Sequence, residues 1–227
     1  MNFPAEALPT ARDRFDRMHT VLRNRICLLD YPPGTRLSEA DLASEFGTSR
    51  TPLRRVLVRL ESEGLLQSVH GVGTIVTDVE IGELEQTYQL RTELAELLGV
   101  LGPNPPDPAL WDRLQLLSAE VRALAEKPDA RRFGELNMEF FPEFHGITSN
   151  LPLREICERL FLQTARIWLK SMAAAQIDVA AEVRIFAYEI DEVRRALAIG
   201  DVRSAALIHR THISMSYTRM RIASRHS

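Results

Sequence analysis

Between Thr48 and Leu60 the chain places four arginines, Arg50, Arg54, Arg55 and Arg59, and no acid. At the angular step of a helix, Leu53, Val56, Leu57 and Leu60 share one stripe. Thr51, Arg54 and Arg55 project from the other side, with Arg50 at its margin. A guanidinium carries a rigid fork of donors that fits guanine O6 and N7, and one good pair discriminates by about 1–3 kcal/mol. Pro52 falls in the first turn, where its missing N–H costs nothing. Ser49, Arg50 and Thr51 therefore stand at a helix start whose free N–H groups and dipole suit a phosphate. The chemistry these residues offer is recognition of duplex DNA. The plainer alternative, a solvated surface helix, leaves the neighbouring turn and glycines without a purpose.

Other reactive residues offer less. His209-x-x-His212 puts two imidazoles on one helix face, and Cys157 is a conceivable nucleophile. Neither has an oriented base, an oxyanion feature or a metal partner in sequence, which argues against an enzyme. Cys27 and Cys157 are the only cysteines and lack ligand spacing, so both are expected to be reduced core residues.

The arginines need a frame, and the surrounding residues supply one. Apolar positions Phe15, Met18, Val21, Leu22, Ile26 and Leu29 predict a first helix over residues 11–29. Tyr31-Pro-Pro-Gly34 stops it. Ser38 reads as the N-cap of a short helix with Asp41 at the capping-box position and Leu42, Ala43 and Phe46 buried. Gly47-Thr48-Ser49 makes the turn into the arginine helix, which Gly64 closes. Two short strands, 65–68 and 74–79, then flank the tip His70-Gly-Val-Gly73. Helix, tight turn, basic helix and β-wing is the order a winged helix-turn-helix requires.

The charge budget agrees with a sequence reader rather than a DNA coat. The 227 residues carry a formal net charge of −3. Residues 1–78 balance ten arginines against ten acids, whereas 79–227 hold eighteen basic and twenty-one acidic residues. Local basic charge on one helix suffices for groove entry. With 45% hydrophobic residues a sizeable core is expected. No apolar run reaches the length of a membrane span, and the N-terminus does not read as a secretory signal. A cytoplasmic protein with no membrane partner is expected.

Gly34-Thr-Arg-Leu-Ser-Glu39, Leu42-Ala43, Ser49-Arg-Thr-Pro-Leu-Arg54, Leu60-Glu-Ser-Glu-Gly-Leu65 and Gly71-Val-Gly-Thr74 resemble the DNA-binding domain of the GntR superfamily of bacterial transcription regulators. The resemblance implies a DNA-contacting set of Arg36, Ser49, Arg50, Thr51 and Arg54, with His70 and Gly71 reaching the minor groove from the wing. Arg55 stands where the family usually has glutamate, adding positive charge near the groove.

After a linker over 78–82, the remainder reads as helical, with segments at 83–101, 109–127, 130–148, 151–175, 178–199 and 201–222. The expected fold class is mostly α: a winged helix-turn-helix domain over 10–78 and a helical effector-binding and dimerisation bundle over 83–222. Tyr88-Gln-Leu-Arg91, Asn150, Ala196-Leu-Ala-Ile-Gly-Asp201 and His212 resemble the FCD effector domain of FadR-like GntR regulators. Such domains dimerise, hold a small ligand in the bundle core, and in many cases bind a divalent metal through an Asp-x-x-x-His pair and two later histidines. Counting from these landmarks, the ligand positions here are Asn137, Phe141, Ile190 and His212. An amide, a phenyl ring, an aliphatic chain and one imidazole do not hold such an ion, so neither a metal nor another cofactor is expected. A register slip would instead recruit His145, with Glu139, Glu143 and His209.

An effector pocket built from these positions would suit an apolar ligand or a carboxylate. Its candidate residues are Arg91, Asn137, Phe141, Arg166, Tyr188, Ile190 and His212. Each polar one also has a plain reading: Arg166 as a surface or interface charge, Arg91 as solvated, His212 as a satisfied core histidine. The aromatics Phe140, Phe141, Phe144, Phe161 and Trp168 read as core. The expectation is a ligand-controlled repressor that binds a palindromic operator as a homodimer, the alternative being a bundle that only dimerises.

Overall fold

The computed structural model describes residues 10–78, 84–105, 107–173 and 177–223. The chain divides after Asp78 into two compact units. Most of the linker at 78–82 lies outside the described residues, as do residues 79, 83, 174 and 175 at the ends of expected elements.

In the first unit α1 spans Ala11–Cys27. It starts at a reciprocal capping box in which Thr10 Oγ1 accepts from Asp13 N–H and Asp13 accepts from Thr10 N–H. Met18, Leu22 and Ile26, four residues apart, are its buried stripe. Strand β1, Arg36–Leu37, leads into α2, Glu39–Glu45. Ser38 caps α2 by accepting from Asp41 N–H, but the reciprocal bond expected of a capping box is the one seen at α1.

Gly47, with φ of 58°, turns the chain into α3, Arg50–Ser62. Leu53, Val56, Leu57 and Leu60 are buried along one side of α3, which packs on α1 and α2. Gly64, at φ 79°, ends α3: Leu65 N–H donates to Leu60 C=O at 3.0 Å and Gly64 N–H to Glu61 C=O at 2.9 Å.

Strands β2, Leu66–Val69, and β3, Gly73–Val76, form the wing, each displaced by about a residue from its expected start. The sheet has a third strand that the sequence reading missed. Its order is β1-β3-β2, with Arg36 opposite Ile75 and Leu37 opposite Thr74. Glu61 of α3 accepts from Ser68 N–H at 2.7 Å and so ties the wing to the helix.

The second unit holds six described helices: α4 Leu84–Leu97, α5 Pro108–Glu126, α6 Ala130–His145, α7 Leu151–Ala173, α8 Val179–Ala198 and α9 Val202–Ala223. Each stop is local. Asp107, Asp129, Asn150, Asp178 and Asp201 each cap the helix that follows with a side-chain oxygen. α4 ends earlier than expected, at Leu97, because the turn through Gly99 and Gly102 (φ 62°) carries the chain away. α4 packs on α7 and α9, α5 on α6 and α8, α6 on α7, and α8 on α9. Phe133, Phe140, Phe144 and Phe186 fill the centre, with Phe140 and Phe186 edge to face at 5.2 Å between ring centres. Among the described residues no helix is long and apolar enough to cross a membrane.

Candidate DNA-reading face and effector core

On the first unit, Arg36, Ser49, Arg50, Thr51, Arg54, Arg55, His70 and Gly71 are all exposed. Ser49 is the N-cap residue of α3, yet its hydroxyl makes no capping bond, so it stays available at the helix start. Arg50, Thr51, Arg54 and Arg55 line one shallow concavity with Phe15 of α1 and Val58. Two of the arginines are already engaged. Arg55 lies over the Phe15 ring at 5.9 Å. Arg54 donates through Nε and Nη2 to Glu39 at 3.2 and 2.8 Å. That ion pair, with Arg50 nearby, holds the Glu39 carboxyl below its ordinary range against a smaller opposing effect of burial. At the wing, Gly71 takes φ 76° and Gly73 φ 113°, backbone that side chains rarely adopt, and the Arg36 guanidinium lies against Gly73.

In the second unit the expected pocket residues separate. Arg91 is 8% exposed, not solvated, and its Nη1 donates to Thr164 Oγ1 at 2.6 Å. Its guanidinium lies 5.2–5.6 Å from the ring centres of Tyr88, Phe141 and Phe161. Phe141 stacks on Phe161 at 3.7 Å and stands edge-on to His209 at 5.1 Å. Ile190 is fully buried and His212 half-buried.

Three placements need correcting. Tyr188 is 69% exposed and points to solvent, because the core side of α8 runs through Glu182, Phe186, Glu189 and Val193 instead. Asn137 donates its amide to Phe133 C=O at 2.9 Å, a bond spent within its own helix. Arg166 is 1% exposed, so it is a buried residue of α7 and not a surface charge.

Sequence reasoning missed Glu189 as the acid of this core. Its Oε1 is 2.6 Å from His209 Nδ1 and its Oε2 3.8 Å from His212 Nδ1. The available signal was an acid on the same helical stripe as Phe186 and Val193. Burial raises the Glu189 carboxyl to about 7, opposed by His212 and Arg91. Burial also lowers His209 and His145 to about 3, with smaller repulsive effects from Arg91 on both. Cys157 is pushed up to about 11 by burial, the reverse of an activated thiol.

The register-slipped metal set is not assembled either. His145 and His209 line one small cavity with Arg91, Phe141 and Cys157. Glu139 instead pairs with Arg132, and Glu143 with Arg113. Among the described residues no group of three His, Cys, Asp or Glu side chains converges as metal ligands. Phe141 and Ile190 place hydrocarbon where ligands would stand, and the Arg91 cation opposes a second positive charge. The donor set does not fit a divalent ion.

Comparison with known proteins places both units. Residues 16–76 match the profile of bacterial regulatory proteins of the gntR family, and residues 86–215, over half the chain, match that of the FCD domain. A Mycobacterium tuberculosis protein named as an uncharacterized HTH-type transcriptional regulator, Rv0494, is 40% identical over 114 residues, spanning 45% of this chain and 47% of its own length. The Escherichia coli HTH-type transcriptional regulator McbR is 29% identical over 150 residues, 66% of this chain and 64% of McbR. These matches span less than two thirds of either relative. The solved structure of E. coli McbR/YncC superposes with a TM-score of 0.78 at 22% identity, covering 92% of this chain and 97% of that one, which establishes the shared fold. The chain belongs to the GntR family of bacterial regulatory proteins, with a second domain of the FCD type.

Proposed function

We propose that this regulator is a cytoplasmic repressor that binds a palindromic operator as a homodimer and is controlled by a small carboxylate held in the bundle core. The winged-helix units would each take one half-site, with Arg36, Ser49, Arg50, Thr51, Arg54, Arg55, His70 and Gly71 on the duplex. The observation that carries the effector reading is Arg91. It is a buried guanidinium among three aromatic rings, with a hydroxyl partner and no ion pair among the described residues. A buried cation is costly, Glu189 acts on it only at a distance, and a carboxylate forked onto it would offset that cost. Phe141, His145 and His209, which line the cavity beside Arg91, would bound the ligand, and the effector would shift the population of DNA-binding arrangements.

One observation favours a second reading, in which the bundle only dimerises. The cavity beside Arg91 has a volume of about 10 Å³, room for one water. Any ligand larger than a water, acetate included, must displace side chains that line it, Phe141 among them. Thermal melting with formate, acetate and benzoate separates the readings. A carboxylate at a hundred times its Kd stabilises by about 2.7 kcal/mol, and Arg91→Met should abolish that gain. No shift with any carboxylate favours the dimerisation reading.

A further inference from the structure

The acid on the DNA-reading face is the feature that needs a purpose. Glu39 opens α2 and stands beside α3, close to Arg50 and Arg54, on the face that would meet phosphates in the operator-binding reading. A carboxylate there repels the backbone of DNA and weakens binding to every sequence alike. Its geometry gives it something else to do. It takes the side edge of Arg54, Nε at 3.2 Å and Nη2 at 2.8 Å, and leaves the end of the guanidinium, Nη1 with the second Nη2 hydrogen, facing solvent. That free end is itself a fork of the spacing that guanine O6 and N7 accept. Arg50, by contrast, makes no ion pair among the described residues.

We propose that Glu39 is a specificity-determining positioning residue, which grips Arg54 by its side and aims the free end of the guanidinium at a single guanine. An unsupported arginine must freeze its rotamers on binding and can swing to a phosphate instead. A gripped one has lost that freedom already and meets the wrong base with its donors fixed in place. Affinity for DNA at large is thereby exchanged for discrimination at one base pair. The inference rests on the operator-binding reading given above.

The test uses the full chain and duplexes enriched from random-sequence DNA by the wild type, with a scrambled duplex as reference. Binding is read by fluorescence anisotropy, and selection is repeated with Glu39→Gln and Arg54→Lys. Glu39→Gln keeps the side-chain shape, and an unchanged circular dichroism spectrum and melting temperature show that the head is folded. We expect Glu39→Gln to bind scrambled DNA more tightly and to lose about tenfold in the ratio of enriched to scrambled affinity. The base pair that relaxes should be the one that relaxes in Arg54→Lys, an overlap that a purely structural role would not produce. An unchanged ratio, or relaxation at a different position, overturns the proposal. A wild type that enriches no sequence overturns it together with the operator reading, and is recognised because all duplexes then bind alike.

Discussion

At the scale of single residues, the two units use arginine in opposite ways. On the exposed face of α3 the guanidinium of Arg54 is solvent-facing, and a substitution there leaves the core untouched. Arg50→Ala and Arg54→Ala are each expected to cost about 1–3 kcal/mol of operator affinity, with circular dichroism and melting unchanged. Wild-type affinity in both variants would sink the assignment. In the bundle, Glu189, His145 and His209 are buried titratable groups beside the Arg91 cation, and their titration makes the unit sensitive to acid. His145 and His209, held near 3 against an ordinary 6.5, refuse protons that the unfolded chain accepts, so their share of stability falls as pH drops through that window. Glu189, raised to about 7 from 4.5, acts the other way, since its folded form keeps a proton that the unfolded form releases. Two imidazoles outweigh one carboxyl. The melting temperature should therefore fall from pH 6.5 to 4.5, and Glu189→Gln should steepen the fall by removing the opposing group. A Glu189→Gln profile parallel to wild type would refute this account.

At the scale of elements, close helix contacts depend on residues that look like mere breaks in the sequence. Gly99 sits in the turn after α4, where an added Cβ would lie 2.8 Å from both Ala206 Cβ and the Arg203 backbone of α9. Those neighbours cannot give way cheaply, because one is backbone and the other is packed. Gly99→Ala should destabilise the bundle by about 1–3 kcal/mol, read by urea unfolding, whereas Gly71→Ala meets no atom and acts only through its φ of 76°. Equal costs for the two would show that α4 does not approach α9 so closely. Helices were legible here because caps, breakers and stripes are local signals. Strand β1 was not, because a two-residue strand exists only by its pairing with β3.

At the scale of the whole molecule, the reading commits to two heads acting together. Light scattering should give about twice the 25.7 kDa of one chain. A fragment of residues 10–78 should bind the same operator far more weakly, since only one half-site contact remains. A monomeric full-length chain with undiminished operator affinity would overturn the homodimer. Deleting residues 79–227 should leave the salt dependence of each half-site contact intact, because that comes from phosphates neutralised by the head itself.

Amphipathic spacing, turn glycines and the run of arginines by themselves determined the winged-helix head, the helical bundle and the exposed arginine face of α3. Those features follow from interactions within a few residues of chain. The site in the bundle was decided only in three dimensions. Tyr188 and Glu189 are neighbours in sequence, yet one is in solvent and the other bonds His209, because one residue of a helix turns the side chain by about 100°. Asn137 and Arg166 likewise took partners or depths that no spacing specifies. Arg91, Thr164, Glu189 and His209 come from four different helices, and only packing brings their polar atoms within reach of one another.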